Sequence, residues 1–534
     1  MLNSKQFNIF LLIYFIFLLI PAYWLPLFES TDARYGEIAR EMLSSGNFME
    51  PYYNGIKHFH KPPFTYWANA LGMAIFGVNG LGARFFGAVA SIFILIYTRK
   101  TAYVLTKDDE TADRAAFVLA SSILFLIVSR IVATDIYLVL FTIMTLYHLF
   151  SQMYVRHKTS NAVLAGLFLG LGFMTKGPVV FLFTLLPFFT AKFFDHSHRR
   201  VFTYPQVFYG LLVFLLVSLP WYGYIISIND GLLSYFLKDQ TVERVTTDRF
   251  DRSKPFYYFF MVFFVTFLPW IFYFLRNYRF SDKLQPGRAL YLYILMPFIV
   301  FQIATSKLGT YILPFFPAAA VIVALNVDSR LIKKISVLIF LTLGAGVCAA
   351  PFLIEFLNPL KYFLVTFGIL FFTTALFIFL KGWYDKYYVR STVCLMLVFA
   401  MTAFCVLPFI APYVKGYRLL TGDIKRYDPE GKYEVLVYKT FLPVISFYMN
   451  DVKPIAFSKE RETQFQSESE YSDILIETDE QLKNFLKKHK ELIIVVRNNT
   501  HETFEKQTGY KCEVISVRGG DKRAAHCKSP EIAD

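Results

Sequence analysis

The feature that most constrains this chain is the recurrence of long apolar blocks, which begin at Phe7 and stop near residue 412. A block of about 18 or more apolar residues is long enough to cross the ~30 Å hydrocarbon layer of a bilayer. About thirteen such candidates lie between residues 8 and 412, some of them short. Composition agrees: 55% of the 534 residues are hydrophobic, with 60 Phe and 35 Tyr. A soluble domain of this length does not keep that much apolar surface out of water. The expected fold is therefore a membrane all-α protein of about 13 transmembrane helices. The first block follows Lys5 and lacks a small-residue cleavage site, so it is expected to stay as a span rather than be removed as a signal.

The placement of charge sets the expected topology. The chain carries a net charge of +14, yet from Tyr413 onward 20 bases face 20 acids, so the excess lies in the membrane part. That points to topology signals and membrane lipids as partners, and away from nucleic acid, since no separate basic domain exists. Alternate connections hold clusters such as Arg99/Lys100/Lys107, Arg276/Arg279 and Arg330/Lys333/Lys334. All fall on the cytoplasmic side if the N-terminus is cytoplasmic, and an odd number of spans then places the tail outside.

The tail changes character. Tyr433–Tyr438, Asp473–Ile476 and Leu492–Val496 read as strands, and Asp479–Lys490 as a helix capped by Thr478 or Asp479. Residues 413–534 are thus expected to form a small extracytoplasmic α/β domain after a membrane domain over 1–412. Cys512 and Cys527 lie in this tail; whether they form a disulfide stays open.

The outer connections hold the residues of interest. Two are long, residues 26–80 and 229–254. Outer loops should be poor in base, yet Arg34, Lys61, Lys176, Arg244 and Lys307 sit there. An anionic ligand at that surface accounts for misplaced cations; ordinary surface charge is the plainer account. Asp32 follows the first span and either caps a helix running through Met42 or serves as a base or charge stabiliser. Asp135 stands at a span boundary, where a carboxylate is costly unless paired or near water. Lys176 occupies a tight Thr-Lys-Gly-Pro turn, and Tyr311 follows Ser306-Lys307-Leu308-Gly309-Thr310 at another. His58 and His60 are weak evidence for metal, and a surface role is the simpler one. The stretch Pro62–Phe76 reads as an amphipathic helix along the interface, with Tyr66 and Trp67 at headgroup depth. Together these residues put two acids, several cations and a Tyr on one membrane face, which suits a lipid phosphate bearing a sugar.

The ordered string Thr31-Asp-Ala-Arg-Tyr-Gly-Glu-Ile-Ala-Arg-Glu-Met, Phe59-His-Lys-Pro-Pro-Phe-Thr-Tyr-Trp, Ala133-Thr-Asp, Met174-Thr-Lys-Gly-Pro, Leu268-Pro-Trp and Thr305-Ser-Lys-Leu-Gly-Thr-Tyr resembles the bacterial polyprenyl-phosphate-sugar glycosyltransferases of the GT-C superfamily. That group includes 4-amino-4-deoxy-L-arabinose lipid A transferase and protein O-mannosyltransferases. The resemblance implies a GT-C fold in the bacterial inner membrane, with the C-terminal domain periplasmic. It implies a polyprenyl-phosphate-linked sugar donor and a lipid A or protein acceptor. It gives Asp32 and Asp135 the catalytic acidic positions. Arg34, Lys61, Lys176, Arg244, Lys307 and Tyr311 fall to the donor or acceptor phosphate. The chain departs at Thr31, where Asp is usual, at His60, where Glu is usual, and at Asp239-Gln240, where Glu-His is frequent. A divalent metal is therefore an open matter, because its usual ligand positions are altered. A lipid or sugar transporter is the non-enzyme alternative, but transporters place charge at mid-membrane, whereas these acids lie at span ends.

Overall fold

A computed structural model of the chain describes residues 4–29, 31–194, 201–243, 253–278, 289–458 and 463–531. Seven of its helices are long and apolar enough to cross a membrane, from Lys5–Ala22 and Gly80–Thr106 to Glu355–Leu380 and Tyr388–Tyr413. Three shorter apolar helices, Val179–Phe193, Tyr293–Ile303 and Gly309–Ala324, accompany them. The chain is a multi-pass membrane protein. Some sequence blocks do not run as single long helices. The block near 115–131 divides at Ser121-Ser122 into Asp109–Ala120 and Ile123–Val128. The block near 256–275 divides around Pro269 into Tyr258–Thr266 and Ile271–Arg276, since proline removes a backbone donor and crowds the preceding turn.

The described residues form two compact units. The first comprises Met1–Leu18, Gly87–Arg130 and Thr134–Ala403, and holds most of the apolar helices. Small residues set its close packing: a Cβ added at Gly166 would collide with the Gly210 carbonyl, so helices Thr159–Lys176 and Tyr204–Ile228 touch backbone to backbone.

The second unit comprises Leu19–Phe86, Ile131–Ala133 and Phe404–Asp534. Its centre is a six-stranded sheet: β1 (Glu434–Tyr438), β2 (Ile455–Ala456), β3 (Leu475–Ile476), β4 (Glu491–Arg497), β5 (Lys511–Gly519) and β6 (Lys522–Lys528). Spatial order is β3-β2-β1-β4-β6-β5. The first four strands are mutually parallel, and β6 joins β4 antiparallel. The strands β1, β3 and β4 and the helix Asp479–Lys488, capped by Thr478 with Gln481, match the sequence reading, which did not include β2, β5 and β6. Cys512 and Cys527 oppose each other on β5 and β6 and are bonded.

Both faces of this sheet are buried, so its central strands are apolar without a break. On one face Leu436, Ile494 and Val496 pack with Leu482, Leu486 and Phe504 from the tail's own helices. On the other, Val435, Val437, Ile493 and Val495 pack with Leu420 and Ile424, and also with Leu27, Ala33 and Ala39 from the first long loop. That loop, grouped with residues 1–412 from sequence, packs here with the tail. Its helix Phe64–Phe76 also differs from expectation: Tyr66 is fully buried against Ile38, Met42 and Tyr53 rather than lying at headgroup depth. Trp67 donates its indole N–H to the Phe48 carbonyl at 2.7 Å.

Candidate functional site

Asp32 lies in the first turn of the helix Thr31–Ser45 and is 3% exposed. A carboxylate so buried needs donors. Oδ2 accepts from Arg84 Nη2 at 2.5 Å and from the Phe28 N–H at 3.1 Å. Oδ1 accepts from the Val132 N–H at 2.6 Å. Arg84 also donates to the carbonyls of Leu25 at 2.7 Å and Pro26 at 2.8 Å. Asp32 thus ties the end of the first span, the start of the helix Gly80–Thr106 and the short segment Ile131–Ala133 together inside one unit. Its oxygens are occupied by donors, so its chemistry here is that of a fixed negative charge. Arg84 escaped the sequence reading, which named Arg34 as the adjacent cation and gave it to the donor or acceptor phosphate. Arg34 sets its guanidinium carbon 5.3 Å from the centre of the Tyr53 ring.

The second acid, Asp135, opens the helix Thr134–Tyr154 in the first unit. Its Oδ1 accepts from Lys176 Nζ at 2.7 Å. Lys176 ends the helix Thr159–Lys176, and Gly177 turns the chain with φ +71°, a conformation that costs glycine little. The same ammonium lies 4.5 Å from the centre of the Tyr311 ring, within cation–π range. Three residues singled out separately in sequence, at 135, 176 and 311, therefore meet at one point. Lys307 is buried and donates Nζ to the Lys254 carbonyl at 3.3 Å, where Ser253 and Ser306 form an antiparallel bridge. Arg244 lies outside the described residues.

Lys61 is buried in the second unit and donates to the His60 carbonyl at 2.6 Å. The rings of His58 and His60 lie 4.0 Å apart. Among the described residues no three His, Cys, Asp or Glu side chains gather around a common point.

The helix Thr31–Ser45 also buries an acidic cluster that the sequence reading passed over. Glu37 and Arg40 form a two-pronged pair at 2.8 and 2.7 Å. Glu41 accepts from the N–H groups of Asn54 at 2.5 Å and Gly55 at 2.9 Å. Burial, with Glu37 beside it, drives the Glu41 carboxyl well above the usual range. Glu29 is pushed up to about 7 by burial, against the pull of the Val444 N–H and of Arg34. The spacing Glu37, Arg40, Glu41 put these groups on one helical face, and that was the signal available in sequence.

The sequence profile of the family described as dolichyl-phosphate-mannose-protein mannosyltransferase matches residues 60–224. Among curated proteins, an undecaprenyl phosphate-alpha-4-amino-4-deoxy-L-arabinose arabinosyl transferase from Edwardsiella ictaluri is 29% identical over 360 residues, covering 64% of each chain. The enzyme of that name from Serratia proteamaculans is 30% identical, over 57% of this chain and 56% of its own. The match thus spans less than two thirds of those transferases. An uncharacterized protein from Aquifex aeolicus is 28% identical over 83% of this chain and 85% of its own. Among solved structures, ArnT from Cupriavidus metallidurans bound to undecaprenyl phosphate superposes with a TM-score of 0.79 at 17% identity, covering 98% of both chains. The chain therefore has the GT-C fold of ArnT and resembles, in sequence, the aminoarabinose arabinosyl transferases.

Proposed function

We propose that the protein is an integral-membrane glycosyltransferase that moves a sugar, an amino sugar among the candidates, from undecaprenyl phosphate to lipid A. In this reading the N-terminus is cytoplasmic, and the transfer occurs at the periplasmic face of the inner membrane. The bonded Cys512 and Cys527 support a periplasmic tail, because disulfides persist in oxidising compartments.

The observation that carries the proposal is the joining of Asp135, Lys176 and Tyr311 at positions matching the transferase motifs. As the bond between the sugar and its carrier phosphate breaks, negative charge grows on the phosphate oxygens. A cation held in place beforehand lowers that barrier more than one that must be recruited. Lys176 is such a cation: Asp135 fixes its position, and the Tyr311 ring supports its charge without using its remaining N–H donors. Lys307, Lys61, Arg34 and Arg244 are assigned the other phosphate contacts.

The acceptor bears on Asp32. A hydroxyl acceptor needs a base to take its proton. A lipid A phosphate is already ionised and needs none. Asp32, with its oxygens occupied, fits the second case, in which it orders the loop and stabilises positive charge developing on the sugar. Mass spectrometry of lipid A from cells with and without the gene tests the proposal. Loss of one sugar mass from lipid A phosphate in the deletion strain is expected, and unchanged lipid A would overturn it. A protein O-glycosyltransferase is the second reading, favoured by the family match over residues 60–224. Glycan loss from envelope proteins with intact lipid A would select it.

A further inference from the structure

A second site lies within the first unit, far from Asp135. The helix that starts with Asp135 ends at Tyr154, 21 residues later, or about 30 Å at the rise of an α-helix. The Tyr154 carbonyl accepts from Lys107 Nζ at 3.4 Å, which marks that end of the unit. Two residues beyond Lys107 the helix Asp109–Ala120 begins. Its first turns, the start of the helix Arg330–Leu353 and the start of the helix Tyr388–Ile410 surround a cavity of about 560 Å³. That volume is in the range that holds small ligands.

Four acids and four bases line this cavity, and of these Glu110 pairs with Arg114 and Asp113 with Arg99 from outside the lining. Lys333 is the shared partner of two carboxylates, Asp328 at 3.1 Å and Asp385 at 3.9 Å. One ammonium between two acids leaves acceptor capacity unused, and both acids are exposed, at 86% and 71% of their side chains. Lys386 and Arg390 also line the cavity, and no ion pair to either is seen among the described residues. Arg390 lies in the first turn of a 23-residue helix that has no acid there. The positive end of that helix is thus answered by no carboxylate of its own first turn, and it adds to the two cations. Beyond those pairs the cavity therefore presents two cations without an ion pair among the described residues, Lys386 and Arg390, and two exposed acids that share one ammonium, Asp328 and Asp385. Close by, Trp383 and Tyr387 are exposed, at 52% and 42%, as rings at a membrane–water boundary are.

We propose that this cavity binds the headgroup of a membrane phospholipid whose phosphodiester is followed by a hydrogen-bond donor, a hydroxyl or an ammonium. The phosphate sits against Lys386 and Arg390, and the donor against Asp328 and Asp385. A phosphate between two cations and a helix start gains charge-assisted hydrogen bonds. Basic pockets between helices at a membrane surface select headgroups in this way. The site is separate from the donor phosphate site and does not depend on which sugar is moved.

The test uses the purified full chain in neutral detergent, with dioctanoyl phosphatidylglycerol, phosphatidylethanolamine or phosphatidylcholine as probes and native mass spectrometry as readout. Phosphatidylcholine has the phosphate but no donor. Retention of the first two lipids in preference to the third is expected. The double variant Lys386→Ala/Arg390→Ala should weaken their binding by about tenfold or more, as for the loss of charge-assisted contacts. Both residues are exposed, so the variant should fold. Lys381→Ala, which removes a nearby cation outside the cavity lining, should change binding less than twofold (about the size of a diffuse surface-charge effect). Equal retention of phosphatidylcholine, or a loss from Lys381→Ala matching that of the double variant, would overturn the site. Displacement of the lipid by equimolar inorganic phosphate would instead assign the cavity to free phosphate and overturn the lipid assignment.

Discussion

Asp32 and Asp135 are both acids at the edge of apolar helices, yet their surroundings differ. Asp32 is held by one guanidinium and two backbone N–H groups, and its partner Arg84 is itself spent on backbone carbonyls. Asp135 holds one ammonium whose side chain keeps 12% of its surface exposed. The first carboxylate is a fastener. The second is a handle that presents a cation. Two acids given one role in sequence thus differ in structure: one fixes the loop, and the other holds the cation that the proposed function sets against the donor phosphate.

The strongest way to break this contrast is Lys176→Ala. Turnover should fall by about 10²- to 10³-fold, the usual cost of removing one preorganised charge-stabilising group, and the melting temperature should fall with it, because the buried Asp135 carboxylate loses its cation. A radiolabelled donor assay beside a melting curve measures both. Arg84→Ala should act through stability, costing about 3–5 kcal/mol because it strands the buried Asp32 carboxylate. Asp32→Asn should be milder, because Arg84, although it loses its counter-charge, keeps the Leu25 and Pro26 carbonyls as acceptors. Turnover lost in Asp32→Asn at unchanged stability would show that the charge itself acts on the substrate.

Tyr311 sharpens the contrast on a smaller scale. Tyr311→Phe keeps the ring over Lys176 and should keep turnover, whereas Tyr311→Leu should lose a few-fold, about 0.5–1 kcal/mol of cation–π support. Equal loss in both variants would shift the role to the hydroxyl.

The smallest effect concerns pH. Glu29 and Glu41 both titrate higher in the folded protein than in the unfolded chain. The folded state therefore holds more protons, and stability falls as pH rises from the ordinary carboxyl range toward about 7. Melting at pH 5.5 should exceed melting at pH 7.5, and Glu41→Gln should flatten that slope. A slope left intact in Glu41→Gln would leave Glu29 as its source.

Much of this was legible in the residues themselves. Apolar blocks report spans because length and hydropathy are local properties. The strands around Val435 and Ile493 report burial in the same way. Lys176 and Tyr311 were legible because cations and rings in tight turns between apolar blocks stand out. Arg84 was not, because its meaning depends on Asp32, 52 residues earlier in the chain. The hairpin β5–β6 was missed because register shifts near Ser516 break its alternation. That the sheet is covered on both faces was readable from its apolar strands. That residues 27–39 supply part of the cover was not, because no local pattern names a distant partner.

The way the second unit is stitched from separated stretches has a consequence for biogenesis. Ala33 and Ala39 pack in one core with Ile493 and Val495. A ribosome adding 5–20 residues per second needs roughly 20–90 s to travel from one to the other. During that interval the first loop is without its partner. Its apolar face must be shielded by other means until the last strands emerge, and a chain truncated before β4 would never release that shield.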